Sequence, residues 1–296
     1  MSVSHEPTSA DNFRGILALL ISQTLFVTSD SVVKLAGTMM PVTQIMAIRG
    51  TLAVCLAGAI LAATVDRARW RLAYQPLVGG RALLEAVLAA LFLVSLPHLA
   101  LGDITVIMQI TPLVITMLSA LVLHEAVGWR RWLAIVIGFA GVVLVAQPGA
   151  QAFNVYVISA VLVAILVAFR DLLTRRLDRS IPTAAITFTT TLSVCILGFA
   201  GAPLEVWQPV SWMGMVLLGA SAMLVTLANV FIIRAFRHVD VSVVSPFRYF
   251  GVVWAIVLGY AIWSDVPNLL AIAGTLLIVG SGLYTLHRET LKLRRR

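Results

Sequence analysis

Residues 130–150 read RRWLAIVIGFAGVVLVAQPGA and carry the marks of a membrane-spanning helix. Two arginines and a tryptophan precede an uninterrupted apolar run, and Gln147, Pro148 and Gly149 end it. Helices that cross a bilayer need about 20 mostly apolar residues, often with tryptophan at their ends and basic residues on the cytoplasmic side. The segment therefore predicts a transmembrane helix that starts at the cytoplasm.

The composition of the whole chain agrees with this segment. Of its 296 residues, 60% are hydrophobic and 11% are charged, and the mean hydropathy is +0.99. Soluble domains contain about 45–50% apolar and about 25% charged residues. The chain is therefore predicted to be an all-α integral membrane protein.

Apolar runs separated by charge clusters, Pro and Gly predict ten transmembrane helices. They lie near residues 14–35, 42–64, 76–97, 102–123, 132–148, 153–175, 182–202, 211–233, 240–262 and 266–286. The predicted organisation is an N-terminal tail (1–13), a first five-helix repeat (14–150), a second five-helix repeat (151–286) and a basic C-terminal tail (287–296).

Basic residues outside the predicted apolar runs fall in every second connecting segment, which places them all on one side of the membrane. They are Arg14, Arg67, Arg69, Arg71, Arg130, Arg131, Arg175, Arg176, Arg179, Arg234, Arg237, Arg288, Lys292 and Arg294 to Arg296. Loops that carry such an excess of arginine and lysine face the cytoplasm. Both termini are therefore predicted to be cytoplasmic.

The two halves of the chain carry matching segments. GDITVIMQITP contains Asp103 and VDVSVVSPFRY contains Asp240, 137 residues later, and both combine a polar start with similar apolar spacing. Because each half has an odd number of spans, the second copy enters the membrane from the opposite side, which predicts an inverted repeat. Chance similarity between two apolar helices is the alternative.

Charged side chains inside the predicted spans are candidate functional residues. A charge at the centre of a membrane helix costs about 2.5 to 3.5 kcal/mol on insertion scales, so such side chains should face the helix bundle and be paired. They are Asp30, Lys34, Arg49, Arg81, Glu85, Arg170, Asp171 and Arg248.

The spacing of these charges predicts two clusters. Asp30 and Lys34 share one face of the first helix, and Arg49 enters the second helix at a similar depth, which predicts an outer cluster. An inner cluster is predicted from residues close to the cytoplasmic side: Arg81, Glu85 and Arg248, with Arg170 and Asp171 as further members. We hypothesise that the inner cluster is a gate. The alternative for Lys34, Arg81 and Arg170 is that their long side chains extend to the lipid headgroups.

Prolines and polar residues deep in the spans predict a central cavity for an amphipathic substrate. Pro112 in the fourth span and Pro246 in the ninth interrupt corresponding helices, and each is expected to free a backbone carbonyl near the membrane midplane. The other cavity candidates are Gln23, Phe92, Gln109, Asn229, Tyr249 and Trp254. For the aromatic residues, helix packing alone is the alternative.

Sequence motifs of enzymes and metal sites are not found. His124 and Glu125 do not begin an HExxH motif, and neither a GxSxG nor a GxxxxGK[ST] motif occurs. Cys55 and Cys195 lie in separate apolar runs and are interpreted as packing residues. The chain is thus predicted to be no enzyme and to bind no cofactor or metal. Its predicted partners are a small-molecule substrate and the bilayer, without nucleic acid, and the oligomeric state is left open, a monomer being one alternative.

Several segments together resemble a known family. They are Gly15–Lys34, Arg49 with Gly50, the two proline-containing spans, and the closing segments WLAIVIGFAGVVLVAQP (132–148) and LLAIAGTLLIVGSGLY (269–284). Over nearly the whole chain they resemble the drug/metabolite transporter (DMT) superfamily, in particular its bacterial EamA-type members.

The resemblance implies ten helices in two inverted five-helix repeats, in a bacterial cytoplasmic (inner) membrane. Spans one, three, four, six, eight and nine would surround a central cavity. Within the superfamily the chain is similar to amino-acid exporters of the YddG type. Carried over by position, the cavity helices of the family assign a cavity role to Gln23, Phe92, Gln109, Pro112, Asn229, Pro246 and Tyr249.

We therefore expect a secondary transporter that exports small metabolites, above all amino acids with aromatic or large apolar side chains, by alternating access. Arg248 or Arg49 would bind the substrate carboxylate, and freed carbonyls, Gln109 or Asp30 would accept hydrogen bonds from its amine. The alternatives are an importer or exchanger of another metabolite, and a membrane scaffold or sensor that transports nothing. Coupling to protons through the acidic residues in the spans is left open.

Overall fold

The computed structural model describes residues 9–122, 128–147, 155–178, 180–235 and 245–293. These residues form helices and short connections, and no β-strand occurs among them. The α-helices are α1 (Ser9–Ala36), α2 (Val42–Thr64), α3 (Pro76–Ser95), α4 (Leu101–Met108), α5 (Thr111–Val122), α6 (Trp129–Ala146), α7 (Val155–Arg175), α8 (Thr183–Ala200), α9 (Trp212–Ala235), α10 (Phe250–Trp263) and α11 (Leu269–Leu293). The predicted all-α class is confirmed.

Ten helical segments of the described residues are long and apolar enough to cross a membrane. They are Phe13–Ala36, Val42–Thr64, Pro76–His98, Leu101–Leu118, Trp129–Ala146, Val155–Thr174, Thr183–Leu204, Trp212–Ile232, Pro246–Trp263 and Leu269–His287. Each falls on a predicted span, so the chain is a multi-pass membrane protein. The predicted start of the ninth span, at residue 240, lies outside the described residues.

The chain forms two compact units that do not follow its two halves. Unit I consists of Met1–Thr28, Leu101–Phe153 and Leu227–Arg296, and unit II of Ser29–Ala100 and Asn154–Thr226. The division falls within α1 and α9. Each unit thus combines segments from both halves of the sequence.

Unit II is built around the pair of helices α2 and α8. The backbone of α8 at Cys195 lies so close to Gly50 that a Cβ atom there would be 2.8 Å from the Cys195 Cα atom. At the other end of the pair, Gly58 faces Phe188. The helices therefore run antiparallel, and small residues at the crossing permit the close approach that is typical of membrane helices. Helix α3 packs against both α7 and α8.

Unit I is built around the antiparallel pair α6 and α11. A Cβ atom on Gly141 would lie 2.7 Å from the Gly274 carbonyl oxygen, so the two backbones touch at this crossing. Helices α4 and α10 also pack antiparallel, since Gly102 faces Ile256 while Leu101 lies near Gly259. In each of these pairs a helix of the first half meets the corresponding helix of the second half. The inverted relation of the halves stays a prediction.

The fourth span is broken where the sequence predicts it. Helix α4 ends at Met108 and α5 begins at Thr111, one residue before Pro112. The backbone N–H groups of Gln109 and Ile110 bond to carbonyls three residues earlier, so the chain tightens into a 3₁₀ turn there. Proline cannot donate the hydrogen bond that would continue α4.

Candidate functional site

Unit II brings four of the predicted inner charges together, and Glu85 on α3 is their centre. Its two carboxylate oxygens each lie 3.2 Å from Nη1 of Arg170 on α7. The other side of the same guanidinium donates to Oδ1 of Asp171, from Nη2 at 2.7 Å and from Nε at 3.0 Å. Arg170 therefore pairs with two carboxylates at once, which favours ion pairing over extension to the headgroups.

Arg81 completes this cluster from one turn earlier on α3. Its Nη2 atom lies 4.0 Å from a Glu85 oxygen. Its Nε donates to the Thr174 hydroxyl at 2.8 Å, and its Nη1 donates to the Thr190 hydroxyl at 2.9 Å. The guanidinium thus links α3 to α7 and to α8.

The charges of the cluster balance, with two arginines against two carboxylates. Their side chains are 15 to 28% exposed, so they are largely but not wholly removed from solvent. Removing one member would leave a net charge in a poorly solvated place, which is far more costly than losing a surface pair. The four groups are therefore a unit that holds α3, α7 and α8 in one arrangement.

Arg248 was predicted to belong to this cluster. It lies in unit I, whereas Arg81, Glu85, Arg170 and Asp171 lie in unit II. Its side chain is exposed, and its backbone carbonyl accepts a hydrogen bond from Gln109. Its membership of a gate stays a prediction.

The predicted outer charges also have partners in unit II. Arg49 donates from Nη2 to the Ser29 hydroxyl at 3.3 Å, and its charge attracts that of Asp30. Ser29 in turn lies 2.8 Å from the Ser221 hydroxyl, and both serines are fully buried. Arg49 is thereby tied through Ser29 to α9.

Lys34 lies at the end of α1 and does not extend to the headgroups. Its side chain is 8% exposed, and Nζ donates to the Leu99 carbonyl at 2.6 Å. Leu99 follows α3 in the chain, so the ammonium fastens the connection between α3 and α4 to the end of α1. Whether Lys34 acts in one cluster with Asp30 and Arg49 stays a prediction.

A second polar network at this end of unit II was not anticipated. One Glu205 oxygen accepts from the Thr43 backbone N–H at 2.8 Å and from the Thr43 hydroxyl at 2.6 Å. The Gln44 amide exchanges two hydrogen bonds with the Gln208 backbone. Residues of the connection after α8 thus provide hydrogen-bond partners for polar groups at the start of α2, where backbone N–H groups have no partner within the helix. Of these residues, only Glu205 could have been singled out from the sequence, because it is an acidic residue next to a predicted span.

Three cavity candidates of unit I make polar or close contacts within that unit. Gln109 is the first residue after α4, and its amide nitrogen donates to the Arg248 carbonyl at 3.4 Å. The Gln23 amide oxygen lies against Gly251, where a Cβ atom would be only 2.7 Å away. Trp254 donates to the Thr28 hydroxyl at 3.2 Å. Polar groups of α1 and α10 thus meet inside the unit.

The carbonyl that Pro112 was expected to free accepts a hydrogen bond from a neighbouring side chain. The missing hydrogen bond leaves the Met108 carbonyl without its helical N–H partner, but the Thr111 hydroxyl donates to that oxygen at 2.7 Å. One hydroxyl donor uses one of the two lone pairs of the oxygen, so the role of this carbonyl in binding a substrate stays a prediction. For Pro246 the corresponding carbonyl belongs to residue 242, outside the described residues.

Pro246 and Tyr249 lie in a 3₁₀ segment, Ser245–Tyr249, that precedes α10. Tyr249 is 8% exposed and its ring and hydroxyl press on Gly282 of α11. This contact corresponds to helix packing, the alternative considered for the aromatic residues. A substrate role for Tyr249 stays a prediction.

The last two cavity candidates occur on different units. Phe92 is half-buried on α3 of unit II, and Asn229 is half-buried on α9 of unit I. No group of His, Cys, Asp and Glu side chains in the described ranges could hold a metal ion.

The sequence profile of the EamA-like transporter family matches residues 13–147 and again residues 154–286. The chain belongs to the EamA-like transporter family. The match covers both halves of the chain, and the family lies within the DMT superfamily that the sequence resembles. The chain is therefore a DMT transporter of small metabolites.

Two curated relatives of this EamA-like chain are transporters with different substrates. The pseudopaline exporter CntI of Pseudomonas aeruginosa is 26% identical over 272 residues, which are 90% of this chain and 93% of the relative. The S-adenosylmethionine uptake transporter of Rickettsia conorii is 26% identical over 192 residues, which are 65% of each chain. The chain thus matches just under two thirds of the length of the rickettsial protein.

A solved crystal structure has the same fold. The chain in that structure is 20% identical in sequence, the comparison covers 96% of this chain and 99% of the other, and the TM-score is 0.60. The likeness concerns the fold alone.

Proposed function

We propose that this EamA-like transporter exports amino acids with aromatic or large apolar side chains, or closely related zwitterions, across the bacterial cytoplasmic membrane. The proposed direction of transport, out of the cell, rests on the match to a pseudopaline exporter over 90% of the chain. The support for a zwitterion is the presence of few but varied polar groups in otherwise apolar spans. Such sites fix the polar end of a ligand and leave its apolar part to non-directional contacts.

The polar groups of unit I are the proposed contacts for the backbone of the substrate. The Gln109 amide lies at the end of α4, where the helix is interrupted, and its hydrogen bond of 3.4 Å to Arg248 is long. Because this bond is weak, the amide can turn, and its oxygen would then accept a hydrogen bond from the amine of the substrate. Gln23 and Trp254 would contact the rest of the ligand, with the indole adding about 0.5 to 1.5 kcal/mol if an aromatic side chain stacks on it.

The second candidate function is uptake of a larger metabolite that contains an amino-acid group. The match to a transporter that takes up S-adenosylmethionine favours it. Because that match covers 65% of each chain, compared with 90% for the exporter, it ranks second. Both candidates share the α-amino and α-carboxylate groups and differ in direction and in the size of the ligand.

The charge cluster of Glu85, Arg81, Arg170 and Asp171 has a supporting role in this proposal. Because all four lie in one unit, the cluster fixes α3, α7 and α8 relative to one another. We expect alternating access to proceed with this part of unit II moving as one piece.

A counterflow assay with purified protein in liposomes tests the substrate. Each batch of liposomes is loaded with one unlabelled compound from a panel of amino acids and S-adenosylmethionine. The batch is then diluted into a solution of the same compound in labelled form. We expect saturable accumulation for phenylalanine, tryptophan and leucine, and none in liposomes without protein. Accumulation of S-adenosylmethionine alone would instead support the second candidate.

Both termini are proposed to lie in the cytoplasm, on the basis of the basic loops. Green fluorescent protein fused after Arg296 should fluoresce, whereas alkaline phosphatase at the same site should be inactive in bacterial cells. The opposite pair of results would contradict the proposed orientation.

A further inference from the structure

Unit I contains a groove whose lining residues are not among the proposed substrate contacts. It lies between α6 and α11 and has a volume of about 430 Å³. The two helices touch at Gly141 and Gly274, and the groove opens from there towards Trp129 and Tyr284. Its volume falls in the range of about 300 to 1,000 Å³ that is typical of ligand sites.

The walls of the groove are apolar and regular. On α11, Leu276, Gly280 and Tyr284 follow one another at four-residue spacing, so they form one face of the helix. On α6, Leu133 and Ile137 line the opposite wall in the same way. Gly280 leaves the floor empty, since a Cβ atom added there would meet nothing within 4 Å. A long, flexible apolar chain fits this shape.

Arg130 is the one charged residue among the described residues that line the groove, and it lies at one end; the Ser281 hydroxyl, which also lines it, donates to the Ile278 carbonyl. Arg130 is exposed there, and its guanidinium lies 5.5 Å from the centre of the Trp129 ring, which holds the charge at the mouth. Tyr284 contributes a phenol on the other wall.

We propose that this groove is a binding site for one anionic phospholipid, with an acyl chain between α6 and α11 and the phosphate at Arg130. Charge complementarity selects this occupant, because basic residues next to membrane helices attract anionic headgroups by about 1 kcal/mol each. Tryptophan and tyrosine favour the interface between headgroups and acyl chains, where Trp129 and Tyr284 would then lie. A second copy of the chain would bring its own basic end against this one.

Native mass spectrometry of the purified full chain, with phosphatidylglycerol or phosphatidylcholine added in detergent, tests the proposal. The wild-type protein should retain one phosphatidylglycerol through delipidation and prefer it to phosphatidylcholine. Gly280→Leu should lower the retained phosphatidylglycerol about tenfold, because the new side chain occupies the groove. Gly79→Leu is the matched control, since a Cβ atom on Gly79 of α3 also meets nothing within 4 Å; it should retain the lipid as the wild type does.

The Arg130→Gln variant distinguishes the contribution of the headgroup to lipid binding from that of the acyl chain. The preference for phosphatidylglycerol over phosphatidylcholine should fall about fivefold, the factor that corresponds to one basic residue at an anionic surface. Equal retention of phosphatidylglycerol by Gly280→Leu and the wild type would overturn the proposal, and so would equal retention of the two lipids by the wild type. A lipid-free wild-type dimer that Gly280→Leu converts to a monomer would also overturn it and would identify the groove as a contact between copies.

Discussion

Glu85 is the residue whose removal tests the charge cluster most sharply. Glu85→Gln keeps the size of the side chain but removes the charge that two hydrogen bonds from Arg170 and the nearby Arg81 compensate. Hydrogen bonds to charged groups contribute about 1.5 to 3 kcal/mol, breaking a fully buried pair costs about 3 to 5 kcal/mol, and an exposed pair contributes at most about 1 kcal/mol. Because Glu85 is 25% exposed, we expect a loss of about 1.5 to 3 kcal/mol in the free energy of unfolding.

A double-mutant cycle isolates the pair from other effects of the substitution. The free energy of unfolding is measured by SDS titration in mixed micelles for Glu85→Gln, Arg170→Gln and the double variant. If the pair exists as described, the double variant loses less than the sum of the single losses, with a coupling of about 1 to 2 kcal/mol. Flux of the transported amino acid should fall in both single variants, because α3 and α7 lose their fixed arrangement.

Asp178→Asn is the matched control for this cycle. Asp178 is an exposed carboxylate outside the membrane spans, and the backbone N–H of Ser180 lowers its pKa by donating a hydrogen bond at 2.8 Å. Its replacement should leave the unfolding curve where that of the wild type lies, because the carboxylate is fully exposed. A coupling below about 0.5 kcal/mol between Glu85 and Arg170, or a Glu85→Gln variant with unchanged stability and flux, would refute the reasoning.

Other substitutions probe the helix packing and the polar groups. Gly50→Ala should lower the free energy of unfolding by about 1 to 3 kcal/mol, because its Cβ atom has no room against α8. Gly58→Ala should be neutral or stabilising, because its Cβ atom would lie 3.5 Å from its nearest neighbour. SDS titration measures both variants, and equal effects would contradict the close helix crossing at Gly50. Lys34→Met should cost about 1 to 3 kcal/mol because it leaves the Leu99 carbonyl without its donor, and an unchanged unfolding curve would count against that bond. Gln109→Leu should raise KM in liposome flux about tenfold with little change in stability, and an unchanged KM would remove Gln109 from the proposed substrate contacts.

The spans were predictable because their signal is local. Apolar length and interrupting charges suffice to find helices such as Val42–Thr64, which the sequence and the structure delimit at the same residues. The composition of the two units was not predictable in this way. It depends on contacts such as Gly50 with α8 and Gly141 with α11, which join residues more than 130 positions apart and leave no periodic trace.

The depth of charged residues in the spans and their spacing along the helices predict part of the charge cluster. A contact between Glu85 and Arg170 was one of two predicted alternatives, because a charge is costly to leave unpaired in a membrane helix; extension of Arg170 to the headgroups was the other. Thr174 and Thr190, which bind Arg81, were missed. A threonine in a helix commonly bonds to a carbonyl one turn earlier, as both of these do, so its residue type alone does not indicate a partner on another helix.

The break at Pro112 was predicted, but its chemistry was not. Proline reliably interrupts a helix because it lacks the N–H group and clashes with the preceding turn. What happens to the unbonded carbonyl depends on the neighbouring side chain, and Thr111 supplies a hydroxyl to Met108. A similar limit applies to Tyr249, because its adjacency to Arg248 and Pro246 in the sequence gave no information about its contact with Gly282 on α11.

Efflux from intact bacterial cells tests the central proposal, export of large apolar amino acids, most directly. Cells that express the chain are preloaded with phenylalanine through a phenylalanine-containing dipeptide, and the amino acid in the medium is followed over time against cells with an empty vector. The account predicts faster, saturable release that Gln109→Leu reduces. Release at the rate of the empty vector, together with accelerated uptake of labelled S-adenosylmethionine, would contradict it.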